Sequence, residues 1–221
     1  NSSKARAMPR PKGGYALADG TAIPGTTTIL NRFKDSGGLI YWAWQQGKEG
    51  KDFREEKDKA ASAGTLAHAM VEAHLREEDP EGVIIGPPEV AERARQGFAN
   101  WLVWKRQSAL HIIAWEKPMI CVHHRYGGTP DHLVNDDPLS IALMDIKCAR
   151  GIYVENLLQL AAYGHLFEDA GAAIKGYHLG RFSPEQADFS HHFFADLKDA
   201  FEMFVLLRQA YDLDKRLKAR V

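Results

Sequence analysis

Asp131 and the run Asp145-Ile146-Lys147 constrain this chain more than any other feature. They fall in two apolar-flanked stretches, 127–134 and 139–148, that both read as short strands. The fourteen positions from one aspartate to the other suffice for a strand end, the turn Asn135-Asp136-Asp137-Pro138 and a second strand beside the first. In an extended segment Asp145 and Lys147 project from one face, while Met144, Ile146 and Cys148 project from the other. Two carboxylates and a lysine then converge on one spot beside a sheet. Oxygen-rich clusters of this kind suit a hard divalent cation such as Mg²⁺ or Mn²⁺. With a lysine beside the bound water, the set is suited to hydrolysing a phosphodiester.

The chain has 221 residues, 45% of them hydrophobic, enough for one domain with a substantial core. Its formal net charge of −1 excludes a strongly basic body but leaves nucleic acid open, because a local basic groove is enough to attract phosphates. Lys4, Arg6, Arg10 and Lys12 at one end, and Lys215, Arg216, Lys218 and Arg220 at the other, read as a solvated tail and a solvated last helical turn. Cys121 and Cys148 are the only cysteines. They form no CxxC, which points to a reducing compartment and leaves no four-cysteine iron–sulfur cluster within the chain. No apolar run approaches the length that crosses a bilayer, and no signal-peptide core precedes the first strand. A soluble, cytoplasmic protein with no membrane partner is expected.

Along the chain, 1–14 reads as a mobile polar tail. Stretches 15–17 and 21–23 flank Asp19-Gly20 as a hairpin. Thr26 or Thr27 is placed to cap a short helix running to Phe33. Helices are predicted over 39–46, 51–63, 65–77 and 88–108. The second half turns β-rich, with strands over 110–115, 119–124, 128–134 and 139–148, then a helix over 153–169. Strands over 174–182 and 187–194 and a helix over 196–216 close the chain. The whole predicts a single α/β domain with a mixed central sheet flanked by helices and an N-terminal helical wrap.

Four motifs in order give a resemblance. Gly64-Thr65-Leu66-Ala67-His68, Gly128-Thr129-Pro130-Asp131, Asp145-Ile146-Lys147 and Gln159-Leu160-Ala161-Ala162-Tyr163 together resemble the RecB-type branch of the PD-(D/E)XK nucleases. The stretch Ile23-Pro24-Gly25-Thr26-Thr27-Thr28-Ile29-Leu30 is similar to the start of many phage-encoded exonucleases of that branch. The second acidic position is Asp145, where many superfamily members have Glu. The resemblance implies a restriction-endonuclease-like core in which Asp131 and Asp145 stand on neighbouring strands under the His68 helix. It also implies divalent-metal-dependent DNA hydrolysis leaving a 5′-phosphate and a 3′-hydroxyl. The metal ligands would be His68, Asp131, Asp145 and the Ile146 carbonyl, with Lys147 positioning the attacking water.

Other residues carry two readings each. On its helix His68 shares a face with Gly64, Val71 and Leu75, where a histidine is by default a core residue; the resemblance makes it a ligand. Gly64, one turn earlier, is expected to leave room for close approach of a backbone or substrate. Glu116 reads as an exposed strand glutamate or, through the resemblance, as the nearby acidic position that helps bind a second metal or holds Lys147. Gln159 and Tyr163, four apart, face one way; they read as helix packing or, through the resemblance, as support for the site. His68 and His74 lie on different helix faces, and there is no HExxH. His123-His124 and His191-His192 are expected to split across opposite faces of strands, so zinc is not expected. Tyr41, Trp42 and Trp44 read as core, with base stacking as the alternative.

The function expected is therefore a metal-dependent DNA exonuclease of phage or bacterial recombination, replication or degradation, acting at a free DNA end. The segment 26–63, with its basic side chains and aromatic cluster, would cover one side of the groove. The alternative is a retired nuclease fold kept as a nucleic-acid-binding or scaffolding module, although none of the motif ligands, nor the lysine, is missing.

Overall fold

In chain order a small hairpin, β1 (Tyr15–Ala16) and β2 (Ala22–Ile23), leads into helices α1 (Thr26–Arg32), α2 (Gly37–Lys48) and α3 (Phe53–Leu75). A 3-10 turn at Pro80–Val83 precedes α4 (Pro88–Gln107). Then come β3 (His111–Trp115), a second hairpin of β4 (Met119–Cys121) and β5 (Tyr126–Gly128), and strands β6 (His132–Asp137) and β7 (Ser140–Cys148). Helix α5 (Val154–Asp169), strands β8 (Tyr177–Phe182) and β9 (Phe189–Phe194), and helix α6 (Lys198–Lys218) complete the chain. This computed structural model describes residue 11 and residues 13–34, 36–115, 117–137 and 140–221. The tail basics Lys4, Arg6, Arg10 and Lys12 and the expected site residue Glu116 lie outside the described residues.

The central sheet has five strands in the order β3-β6-β7-β8-β9. β7 and β8 run parallel and the other neighbours antiparallel, because α5 carries the chain back over the sheet between β7 and β8. The mixed α/β architecture expected from the sequence is the one observed. Side-chain alternation along β7 divides the interior in two. Met144 and Ile146 pack with Ala67, Met70, Trp101 and Trp104 of α3 and α4. Leu143 packs with Leu160 and Leu166 of α5 and Phe204 of α6. β7 is thus covered on both faces, and any charge on it must be explained.

Several local expectations are corrected. The helices predicted over 51–63 and 65–77 are one helix, α3, capped by Asp52, whose side chain accepts from the Arg54 and Glu55 amides. Gly64 lies inside it, and a Cβ there would come no nearer than 3.8 Å to the Cys148 carbonyl. That is ordinary contact, so no close approach explains this glycine. α1 is capped by Gly25 rather than by a threonine; the Thr26 hydroxyl instead donates to the Gly127 carbonyl at 3.0 Å, tying α1 to β5. The strand predicted over 128–134 is interrupted at Thr129-Pro130-Asp131, where proline offers no N–H to a ladder.

The strand predicted over 119–124 stops at Cys121, and 122–125 form a turn that ends on Arg125 at φ 54°. His123 and His124 are therefore not split across a sheet; their ring centroids are 4.5 Å apart. The aromatic cluster of α2 is not core either. Tyr41 and Trp44 are 59% and 57% exposed, and only Trp42 turns inward onto Phe53. Among the described residues no helix is long and apolar enough to cross a membrane.

Candidate active site

The site forms at the end of β6, where β7 continues past its neighbour. The last β6–β7 pair is His132 with Met144, so Asp145 to Lys147 have no β6 partner. Asp131, the residue before β6, fills that space: its Oδ2 accepts from the Ile146 amide at 3.1 Å. A residue's N–H and C=O leave a strand by the same edge, so the Ile146 carbonyl faces the Asp131 side as well. His68 arrives from α3, on the other face of the sheet, and its Nδ1 lies 3.9 Å from Asp131 Oδ2.

Asp145 and Lys147 point to the α5 side. Lys147 Nζ lies 2.5 Å from Asp145 Oδ2 and donates to Gln159 Oε1 at 2.9 Å. Gln159 Nε2 in turn reaches the Tyr163 hydroxyl at 2.9 Å. One turn of α5 therefore places both residues in a single relay that fixes the lysine. The Tyr163 ring explains a motif glycine: a Cβ on Gly128 would stand 2.6 Å from Tyr163 Cε1. Thus the Gly128-Thr129-Pro130-Asp131 segment passes Tyr163 closely before delivering Asp131.

The electrostatics are those of a site short of positive charge. Asp145 is 1% exposed. Burial, reinforced by the Asp131 charge, pushes its carboxyl up to about 7 despite the neighbouring Lys147 ammonium. Burial also opposes ionisation of Asp131, but the charges of His68 and Lys147 and the Ile146 amide outweigh it and hold Asp131 below its ordinary range. Burial thus pushes Asp145 toward its protonated form while Asp131 is held ionised. Apart from the Lys147 ammonium, neither Asp145 oxygen has a hydrogen-bond partner among the described residues. A buried carboxylate left in that state is costly. A divalent cation held by these hard oxygens would remove the cost, so the donor set fits such an ion.

One residue of the site was not singled out in the sequence. His132, next to Asp131, is buried, and its Nδ1 has no hydrogen-bond partner among the described residues. Burial drives its pKa down to about 4, against the pull of Asp131, which keeps the imidazole neutral beside His68. Its only sequence signal is adjacency to Asp131. Next to Tyr163 opens a cavity of about 350 Å³ lined by Tyr15, Thr26, Thr27, Thr28 and Gly128. Tyr15 donates to or accepts from Thr129 Oγ1 at 2.8 Å. The Pro24-Gly25-Thr26-Thr27-Thr28 stretch thus borders the site region.

Among solved structures the chain is similar to SSO0001, with TM-score 0.37 and 16% identity over 67% of this chain and 70% of that one. It is also similar to an alkaline exonuclease, LHK-Exo, from Laribacter hongkongensis, with TM-score 0.34 and 12% identity over 71% of this chain and 84% of that one. The structure of LHK-Exo in complex with dAMP gives TM-score 0.38 and 14% identity over 75% and 98% of the two chains. At these scores the likeness carries no residue-level correspondence. No protein-family model matches the sequence, and no curated protein sequence does.

Of the expected site residues, His68, Asp131, Asp145, Ile146, Lys147, Gln159 and Tyr163 are brought together around the end of β6.

Proposed function

We propose that the chain is a nuclease that hydrolyses DNA phosphodiesters with Mg²⁺ or Mn²⁺ at this site. The observation that carries the reading is the buried Asp145 carboxyl, met only by the Lys147 ammonium and set beside Asp131. His68, Asp131, Asp145 and the Ile146 carbonyl would hold the cation. When bound, it would supply an acidified water and offset charge on the phosphate.

The chain's own groups do the rest. Lys147, held by Gln159 and through it by Tyr163, keeps an ammonium fixed where the phosphate and the attacking water meet, and so needs little reorganisation as negative charge develops. His132 stays neutral and adds no positive charge that would compete with the cation. The motifs, read with this geometry, support products with a 5′-phosphate and a 3′-hydroxyl. They also support a place in phage or bacterial DNA recombination, replication or degradation. The exposed Tyr41 and Trp44, with Lys48 4.6 Å above the Trp44 ring, support contact with unpaired bases and hence action at a DNA end.

The test combines calorimetry and cleavage. Asp131→Ala and Asp145→Ala should each lose Mn²⁺ binding at this site and all Mg²⁺-dependent cleavage of end-labelled linear DNA, while remaining folded. Unaltered Mn²⁺ binding in both variants would remove the carboxylates from the ligand set. Closed circular DNA, single- or double-stranded, should stay intact in the same assay; efficient linearisation would make the enzyme an endonuclease.

A further inference from the structure

A second cluster lies where the β4–β5 hairpin meets α5, away from the end of β6. Cys121 Sγ, a ring nitrogen of His165 and a carboxylate oxygen of Asp169 all lie within 4.8 Å of one another. We propose that Cys121, His124, His165 and Asp169 form a zinc site that staples the β4–β5 turn to helix α5.

The spacing is that of a metal-binding turn facing a helix. Cys121 and His124 are three apart across a four-residue turn, and His165 and Asp169 are four apart on one face of α5. Burial pushes the Cys121 thiol up, and the His124 amide, donating to Cys121 Sγ at 3.4 Å, offsets part of that. The His124 ring stands 5.3 Å from the His165 ring, near enough to supply the fourth ligand by a side-chain rotation. Glu168 lies 3.5 Å from His165 Nδ1, as the carboxylate partner that metal-bound imidazoles commonly use through their other nitrogen.

The turn is already held in place. Arg208 of α6 is buried and donates to the Arg125 carbonyl at 3.0 Å, at the end of the turn, and the Tyr126 hydroxyl donates to the Ala162 carbonyl at 2.8 Å. Tetrahedral zinc with bonds of about 2.0–2.3 Å sets its ligand atoms roughly 3.5 Å apart, so drawing Cys121, His165 and Asp169 onto the ion needs shifts of about 1 Å, with the His124 ring turning in as the fourth ligand. A thiolate, imidazoles and one carboxylate suit Zn²⁺ and not Mg²⁺. Four protein ligands leave no open position, so the site is structural. Binding displaces the thiol proton of Cys121 to solvent, and affinity therefore falls as pH is lowered.

The competing account is plain packing: Cys121 as a small buried hydrophobe, and His165 stacked on Phe201 with centroids 4.1 Å apart. Cobalt(II) separates the two. The purified full chain, stripped of metal and titrated with Co²⁺, should develop strong visible bands and a near-ultraviolet thiolate-to-cobalt band that saturate with about one equivalent at this site, as a tetrahedral sulfur site requires. Zn²⁺ should bleach both and raise the melting temperature by several degrees. Cys121→Ser should lose the thiolate band, and Asp169→Asn should weaken binding at least about tenfold, with far-ultraviolet circular dichroism confirming that each is folded. Asp145→Asn should leave the cobalt spectrum unchanged, so the outcome is independent of the proposed nuclease chemistry. A wild-type chain without a thiolate band, or a Cys121→Ser chain that keeps it, would overturn the proposal.

Discussion

Replacing Asp145 by asparagine should stabilise the metal-free protein while abolishing cleavage. In the folded chain burial raises the Asp145 carboxyl to about 7, against an ordinary 3.8. Below pH 4 the group is protonated in both folded and unfolded states and contributes no difference. Between about 4 and 7 the unfolded chain has lost a proton that the folded chain keeps, so unfolding is increasingly favoured as pH rises. Above 7 the penalty is constant. At about 1.4 kcal/mol for each pH unit, it comes to roughly 4 kcal/mol. Asparagine keeps the shape but has no charge to bury. Urea unfolding of wild type and Asp145→Asn, with Mg²⁺ omitted, should therefore put the variant ahead by only about 1.5 kcal/mol at pH 5. The variant should draw ahead by several kcal/mol at pH 8. Adding Mg²⁺ should close the gap by stabilising only the wild type. A difference that stays flat from pH 5 to pH 8 would refute the reasoning, since the penalty would then not come from ionising a buried carboxyl.

The remaining expectations follow from other parts of the site. Lys147→Ala should lower turnover by about a hundredfold or more, the scale of one positioned electrostatic group, with a much smaller loss of DNA affinity; equal losses in both would make it an ordinary phosphate contact. Gln159→Leu removes the acceptor that fixes Lys147 and should cut kcat by about tenfold with KM little changed, measured on linear DNA. Trp44→Ala, on an exposed ring, should weaken single-strand binding by about tenfold, at the low end of what one stacked base contributes, and leave thermal stability unaltered. A fall in stability there would mean that Trp44 packs rather than binds.

What was legible in the sequence is what depends on local order. Alternation fixed which face of β7 carries Asp145 and Lys147, and the four-residue spacing on α5 put Gln159 and Tyr163 on one side. Those are properties of a strand and a helix, and they hold wherever the elements pack. The sheet class was readable for the same reason. Helix joints were less so: the charged run before Gly64 looked separable from the apolar run after it, yet hydrogen bonding continues through a glycine at a cost of only about 1 kcal/mol.

Only the tertiary structure decided how far each charge is from water. Nothing in the sequence shows that β7 is covered on both faces, so nothing in it shows that burial raises the Asp145 carboxyl while Asp131 is held low. The fate of the histidines was undecidable for a related reason. Whether His123 and His124 diverge across a strand or meet in a turn depends on where β4 ends, and that is set by packing against α5 and α6. Cys121 and His165 are brought together by that packing alone. The sequence determined which chemical groups are present and how they are spaced along each element; the packing of elements against one another set their mutual distances and their burial, because both depend on contacts between residues far apart in the chain.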